Sequence, residues 1–277
     1  MKRTFRILSL ALLLALVLPV LAQQLGGEEE SRRFEFVRLE ETSYREVRFR
    51  NAEQDLELAG LLFVPEGDGP FPAAVVIHGS GTSRRDNGWY LTLVDHLQAS
   101  GIVVLLPDKR GSVESEGDWA TASLEDLATD SAAAVSFVRQ QEEVPVASIG
   151  LIGMSQGGKI APLVATRHAE VDWIVDVVGG ALPMHESLVY EETHNLRQMG
   201  VLPGLSDVIA RLSAWSIVHL RQKEFWDAVG NFDPLPYWRD LSVPALVLYG
   251  GNDTNVATQR SAPPLRAGDR PNQDVRK

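Results

Sequence analysis

Five short, nearly continuous apolar runs punctuate the chain, at residues 73–77, 102–106, 149–152, 174–178 and 245–249. Runs of this length, rich in β-branched residues, suit strands buried on both faces, as in a parallel sheet. The segments between them carry helical spacing. Leu124, Leu127, Ala128, Ser131, Ala132, Val135 and Val138 fall on one stripe, and residues 121–123 offer a cap ahead of it. Strands alternating with helices predict an α/β fold, a doubly wound and mostly parallel sheet with right-handed crossovers. Ahead of the first run the pattern alternates instead, over residues 44–50 and 56–64, with turn-rich residues 51–55 between. That predicts an antiparallel hairpin at the sheet edge.

One interval breaks the rhythm. Residues 184–240 contain no strand-like run, but helical stretches carrying Tyr190, Trp215, Phe225, Trp226, Tyr237 and Trp238. An insertion between two core strands predicts a helical cap over the functional face. For any single aromatic there, filling the core is the simpler role. At the N-terminus, Lys2, Arg3 and Arg6 precede an apolar run over residues 7–18, then small or β-branched Val20 and Ala22. This is the pattern a signal peptidase reads, with cleavage after Ala22, and the run is too short for a comfortable membrane span; an uncleaved N-terminal anchor is the alternative. The expected organisation is a signal peptide over 1–22, a flexible polar leader over 23–33, and one α/β domain over 34–277 with its cap at about 184–240. The protein is expected to be exported, either periplasmic or secreted.

Composition narrows the chemistry. The 277 residues are 44% hydrophobic and 23% charged, and none is cysteine. Disulfides, thiolate nucleophiles and cysteine metal sites are thereby excluded. Removing the three cations of the signal peptide takes the net charge from −11 to −14, which repels nucleic acid and anionic membranes. Neither the histidines nor the carboxylates show metal-ligand spacing, so no metal and no cofactor are expected.

The strongest local signal is Gly153-Met154-Ser155-Gln156-Gly157, directly after the run at 149–152 and before a helix-compatible stretch. A strand that turns into a helix this fast strains the serine backbone, and glycines two positions away remove clashing β-carbons. The serine then stands above the sheet at a helix N-terminus, which favours developing negative charge. This context identifies the G-x-S-x-G nucleophile elbow.

From Leu56 onward the chain resembles the α/β-hydrolase superfamily, in particular exported bacterial members of esterase or peptidase type. Val75-Val76-Ile77-His78-Gly79-Ser80-Gly81 resembles the strand and loop that supply an oxyanion hole. Residues 107–117 resemble the loop after the next strand, and Leu248-Tyr249-Gly250-Gly251-Asn252-Asp253 the turn that presents a triad acid. The resemblance implies Ser155 as nucleophile, Asp253 as acid, and oxyanion donors from the Gln156 N–H and from Gly79 or Ser80. It gives His78 a supporting role in its loop. The implied reaction is cleavage of a carboxylic ester or small amide through an acyl-enzyme. An acyltransferase, an aminopeptidase, a dienelactone-type hydrolase or a non-catalytic binding protein remain alternatives on the same fold.

Two features depart from the pattern. Val113 stands where many relatives have glycine, and a valine disfavours positive φ, so a differently shaped loop is expected. The catalytic histidine should follow Asp253, yet His78, His96, His168, His185, His194 and His219 all precede it. The expectation is a chain cut short before its last strand and histidine loop. The alternatives are that His185 or His194 of the cap serves as base, or that the chain is a degenerate hydrolase that binds without catalysing. A missing strand and helix would leave an unpaired edge and uncovered apolar surface, so poor solubility is expected.

Overall fold

The computed structural model describes residues 35–261. The signal peptide and the leader lie outside them.

Strands β1 (Arg45–Asn51) and β2 (Leu56–Phe63) form the predicted antiparallel hairpin, with Arg45 opposite Leu62 and Asn51 opposite Leu56. Then follow β3 (Phe71–Ile77), α1 (Gly88–Ala99), β4 (Val103–Pro107), α2 (Leu124–Arg139), β5 (Val146–Met154), α3 (Gln156–Arg167) and β6 (Trp173–Val177). After β6 come α4 (Met184–Gln198), α5 (Pro203–Ser216), a π-helical turn (Ile217–Arg221), α6 (Lys223–Val229) and α7 (Leu235–Asp240), before β7 (Ala245–Leu248). The seven strands lie in the order β1-β2-β4-β3-β5-β6-β7. β2 pairs antiparallel with β4, and every pairing from β4 to β7 is parallel.

The apolar runs are continuous because the central strands are covered on both faces. Leu58, Leu62, Val75, Ile77, Val103 and Leu105 pack on the α2 and α3 side. Leu61, Phe63, Val76, Val104 and Leu106 pack on the other, against Leu91 and Val94 of α1. The stripe predicted for α2 is buried at all seven positions. The helix starts at a capping box, in which Ser123 accepts from the Asp126 N–H and the Asp126 carboxylate accepts from the Ser123 N–H.

Strand order reverses at β3, which has β4 on one side and β5 on the other. In open α/β sheets a crevice forms outside the strand C-termini at such a point. The loops leaving β3 and β5 are those that begin His78-Gly79-Ser80 and Ser155-Gln156, so topology alone brings these two segments together.

The loop after β4 corrects one expectation. Val113 adopts φ +52° despite its β-branch. The turn is set by its neighbours: Ser112 N donates to Lys109 O (2.9 Å), Gly111 N to Glu116 O (2.9 Å) and Ser115 N to Ser112 O (3.0 Å). The Ser115 hydroxyl also donates to Asp108 O (2.7 Å). Valine follows a backbone path that these bonds impose, at a cost of about 1–2 kcal/mol. Its side chain is 57% exposed and loses little packing when removed. Val113→Gly should therefore stabilise the protein by up to about 1 kcal/mol, after the entropy cost of glycine. Calorimetry should show a melting temperature about 2–4 °C higher.

Candidate active site

β5 becomes α3 within one residue. Ser155 occupies the junction with φ 53° and ψ −113°, a combination that L-residues rarely adopt. The strain is held from both sides: Ser155 N donates to Val177 O of β6 (2.9 Å), and Gly158 N donates to Ser155 O (2.9 Å). The flanking glycines are sterically required. A β-carbon on Gly153 would collide with the Gly157 carbonyl, and one on Gly157 with the Ile77 carbonyl of β3. The result is an exposed serine at the N-terminus of a helix whose next ten residues are all buried.

Around this serine lies a cavity of about 700 Å³, within the size range of small-molecule sites. Ser80, Gly81, Ser155 and Gln156 line one side. Trp119, Met184, Leu188, Ile217, Phe225 and Trp226 bring apolar surface to the rest, beside the polar Lys159, Glu191, Glu192 and Gln222. Of the aromatics singled out in residues 184–240, only Phe225 and Trp226 line the cavity. Trp238 is buried in the core and Tyr237 stacks on Phe232 at 5.6 Å. Trp215 is exposed, and the Tyr190 hydroxyl donates to the main-chain oxygen of Asp253 (3.3 Å). Trp119, from the loop after β4, has no motif around it, and only the fold brings it to the cavity.

The loop after β3 is pinned. His78 is buried, and its Nε2 lies 2.7 Å from Pro107 O, to which it donates in the neutral tautomer. Burial pulls its pKa down to about 4, with Lys109 contributing in the same direction. A neutral imidazole held by a main-chain carbonyl props the loop. The Gly79 N–H donates to the Tyr90 hydroxyl (2.9 Å) and is thereby occupied. Of the two oxyanion candidates on this loop, Ser80 is the one whose N–H has no partner among the described residues.

Asp253 lies on the turn beyond β7. Its Oδ1 accepts from Asn255 N (2.9 Å) and Val256 N (2.8 Å). Among the described residues no histidine hydrogen-bonds to Ser155 or Asp253. His185 Nδ1 is turned to Gly230 O, and His194 Nδ1 to Tyr190 O (3.0 Å). The structure thus brings Ser155, Gln156 and Ser80 together and, among the described residues, places no histidine beside them.

Beneath the elbow lies an ionisable pair that the sequence reading passed over. Asp176 sits inside an apolar strand run with none of its surface accessible. Its Oδ1 accepts from Gly179 N (2.6 Å), and Oδ2 has no partner. A β-carbon on Gly158, in the first turn of α3, would strike this carboxyl group. Burial raises the Asp176 pKa to about 7, against the pull of the Gly179 N–H and Lys159. Burial also lowers Lys159 to about 8, while its ammonium donates to Leu182 O (2.8 Å).

Comparison with known proteins places this geometry. Residues 70–223 match the family described as serine aminopeptidase, S33. The chain is 26% identical over 221 residues to Esterase EstD of Thermotoga maritima, covering 74% of this chain and 52% of that protein. It is 34% identical over 154 residues to Thiohydrolase aneE of Aspergillus aculeatus, covering 55% and 46%. The chain spans about half the length of these curated relatives. Its fold is that of the Pyrococcus furiosus esterase Pf2001, at a TM-score of 0.61 and 19% identity over 85% of this chain and 86% of that one.

The raised pKa of Asp176 carries a stability consequence. The folded carboxyl holds a proton that the unfolded one, at 3.8, releases. The folded state therefore binds more protons between these values, and stability falls as pH rises from about 4 to about 7. Asp176→Asn removes that dependence. Urea midpoints at the two ends of this window should differ less in the variant than in the wild type.

Proposed function

This chain belongs to the serine aminopeptidase S33 family of α/β-hydrolases, and we propose that within it the protein is a serine hydrolase cleaving a carboxylic ester or small amide through an acyl-enzyme. The observation that carries this reading is the strained, exposed Ser155 on the wall of the 700 Å³ cavity. A hydroxyl held there is free of internal hydrogen bonds and can approach a substrate carbonyl. The developing oxyanion would meet the N–H of Gln156, the first residue of α3, where the helix dipole adds to the local donor. The N–H of Ser80 would supply the second hydrogen bond. The apolar side chains of the wall, Trp119, Phe225 and Trp226 among them, favour a substrate whose acyl or leaving group is hydrophobic.

Asp253 is assigned the acid role, orienting an imidazole and stabilising its charged form. No histidine of residues 35–261 takes that position, so the base is assigned to none of them. Without a base a serine hydroxyl is a weak nucleophile at neutral pH, which makes the reactivity of Ser155 the quantity to measure. Esterase EstD supports an ester substrate by its name alone, at 26% identity. Export, with no nucleic-acid partner, completes the proposal. Among the described residues no helix is long and apolar enough to cross a membrane.

Treatment with a fluorophosphonate should add one adduct to the intact mass, slowly because no histidine of residues 35–261 activates Ser155, and Ser155→Ala should abolish it. A wild type that takes up no label while remaining folded would contradict the reading. Expressed with its full N-terminus in a bacterium, the protein should be recovered outside the cytoplasm with Gln23 as its first residue. Recovery with Met1 intact would exclude the proposed cleavage.

A further inference from the structure

Lys109 is the second residue after β4 and lies only 8% exposed. A lysine is rarely buried without a carboxylate beside it, and neither of its two hydrogen-bond acceptors is charged. Its ammonium donates to Gly79 O (2.9 Å) and to Gln156 Oε1 (2.7 Å). It also sits 5.6 Å from the centre of the Trp119 ring, at cation–π range. Burial lowers its pKa to about 8. One cation therefore touches the loop after β3, the first residue of α3 and the aromatic wall of the cavity.

The two hydrogen bonds go to the two segments that flank Ser155. A β-carbon built on Gly79 would stand 3.6 Å from Cβ of Ser155, so this backbone lies directly over the serine. Both ends of Gly79 are tied: its N–H donates to Tyr90 and its carbonyl accepts from Lys109. In a trans peptide the carbonyl of one residue and the N–H of the next point in opposite directions. Pulling the Gly79 carbonyl toward Lys109 therefore turns the Ser80 N–H the other way, and a cation on that carbonyl polarises the same peptide toward stronger donation. On the other segment, the buried Gln156 side chain is held through Oε1, while its Nε2 has no partner.

We propose that Lys109 is the positioning residue of the oxyanion site: by bridging Gly79 O and Gln156 Oε1 it fixes the Ser80 and Gln156 N–H groups relative to each other across Ser155. The proposal rests on Ser155 being the nucleophile, and adds that the two donors are set by one shared cation. Lys109 touches no reacting atom. Its contribution is to remove the freedom of the Gly79–Ser80 peptide to rotate, which bears on the transition state more than on substrate binding.

The test compares wild type, Lys109→Met and Lys109→Arg, each as the full chain labelled with ¹⁵N. In Lys109→Met the amide resonances of Ser80 and Gln156 should shift, while those of Val75 and Leu151 in the core strands stay in place. The maximal rate of Ser155 phosphonylation by a fluorophosphonate should fall about 10- to 100-fold, below the loss from deleting a donor outright. The half-saturating reagent concentration should change little, and Lys109→Arg should recover most of the rate. If Lys109→Met does not fold, Lys109→Gln takes its place, with a side chain too short to bridge both oxygens. Unmoved Ser80 and Gln156 amides in a folded variant overturn the proposal, as does a rate loss that appears only in half-saturation. A wild type that is never phosphonylated overturns the serine reading instead, and the amide shifts still decide whether Lys109 anchors the two donors.

Discussion

A strand that becomes a helix within a single residue is the constraint on which the rest of this structure depends. It forces Ser155 into positive φ and leaves no room for β-carbons at Gly153 and Gly157. It also presses the first turn of α3 so close to β3 and β6 that the Gly158 backbone touches the Asp176 carboxyl. Such strain persists only where the surroundings over-determine it. Here they do, through the Val177 carbonyl, the packed α3 and the central position of β5 between β3 and β6.

The site is assembled around buried polar groups that neutral partners hold. Lys109 and Lys159 both lie under the cavity, and both donate to main-chain carbonyls. His78 is kept neutral against the Pro107 carbonyl. These groups are costly to bury, and each is spent on fixing a loop that carries no regular hydrogen bonding of its own. The guanidinium pairs beside them do similar work further out. Arg85 grips Asp108, and Arg110 grips Asp130, so the start of the loop after β4 is tied to its neighbours on two sides. That rigidity explains how Val113 is carried into a conformation that its own side chain disfavours.

Residues 184–240 hold helices alone, since strands neither begin nor end within them. Two of their aromatics line the cavity and others fill the core behind it. Function on this fold is decided by such walls rather than by the sheet. The family match places the chain among the α/β-hydrolases, and the shape of the cavity is what a substrate must satisfy.

The sequence by itself determined the sheet, the elbow and the order of the elements. These follow from local rules: apolar runs mark strands covered on both faces, a 3.6-residue stripe marks α2, and glycine spacing marks the turn at Ser155. It also singled out Ser155, Gln156, Gly79, Ser80 and Asp253. What it could not decide was which of Gly79 and Ser80 keeps a free N–H, because that depends on Tyr90, which lies eleven residues away on α1. Lys109 was invisible as more than a basic residue in a loop, since its acceptors lie 30 and 47 residues away in sequence. Asp176 read as part of a strand, and only the packing of α3 over it shows why burial pushes its pKa up to about 7. Local periodicity writes the elements into the chain, but hydrogen bonds between distant loops form only when the sheet brings their ends together.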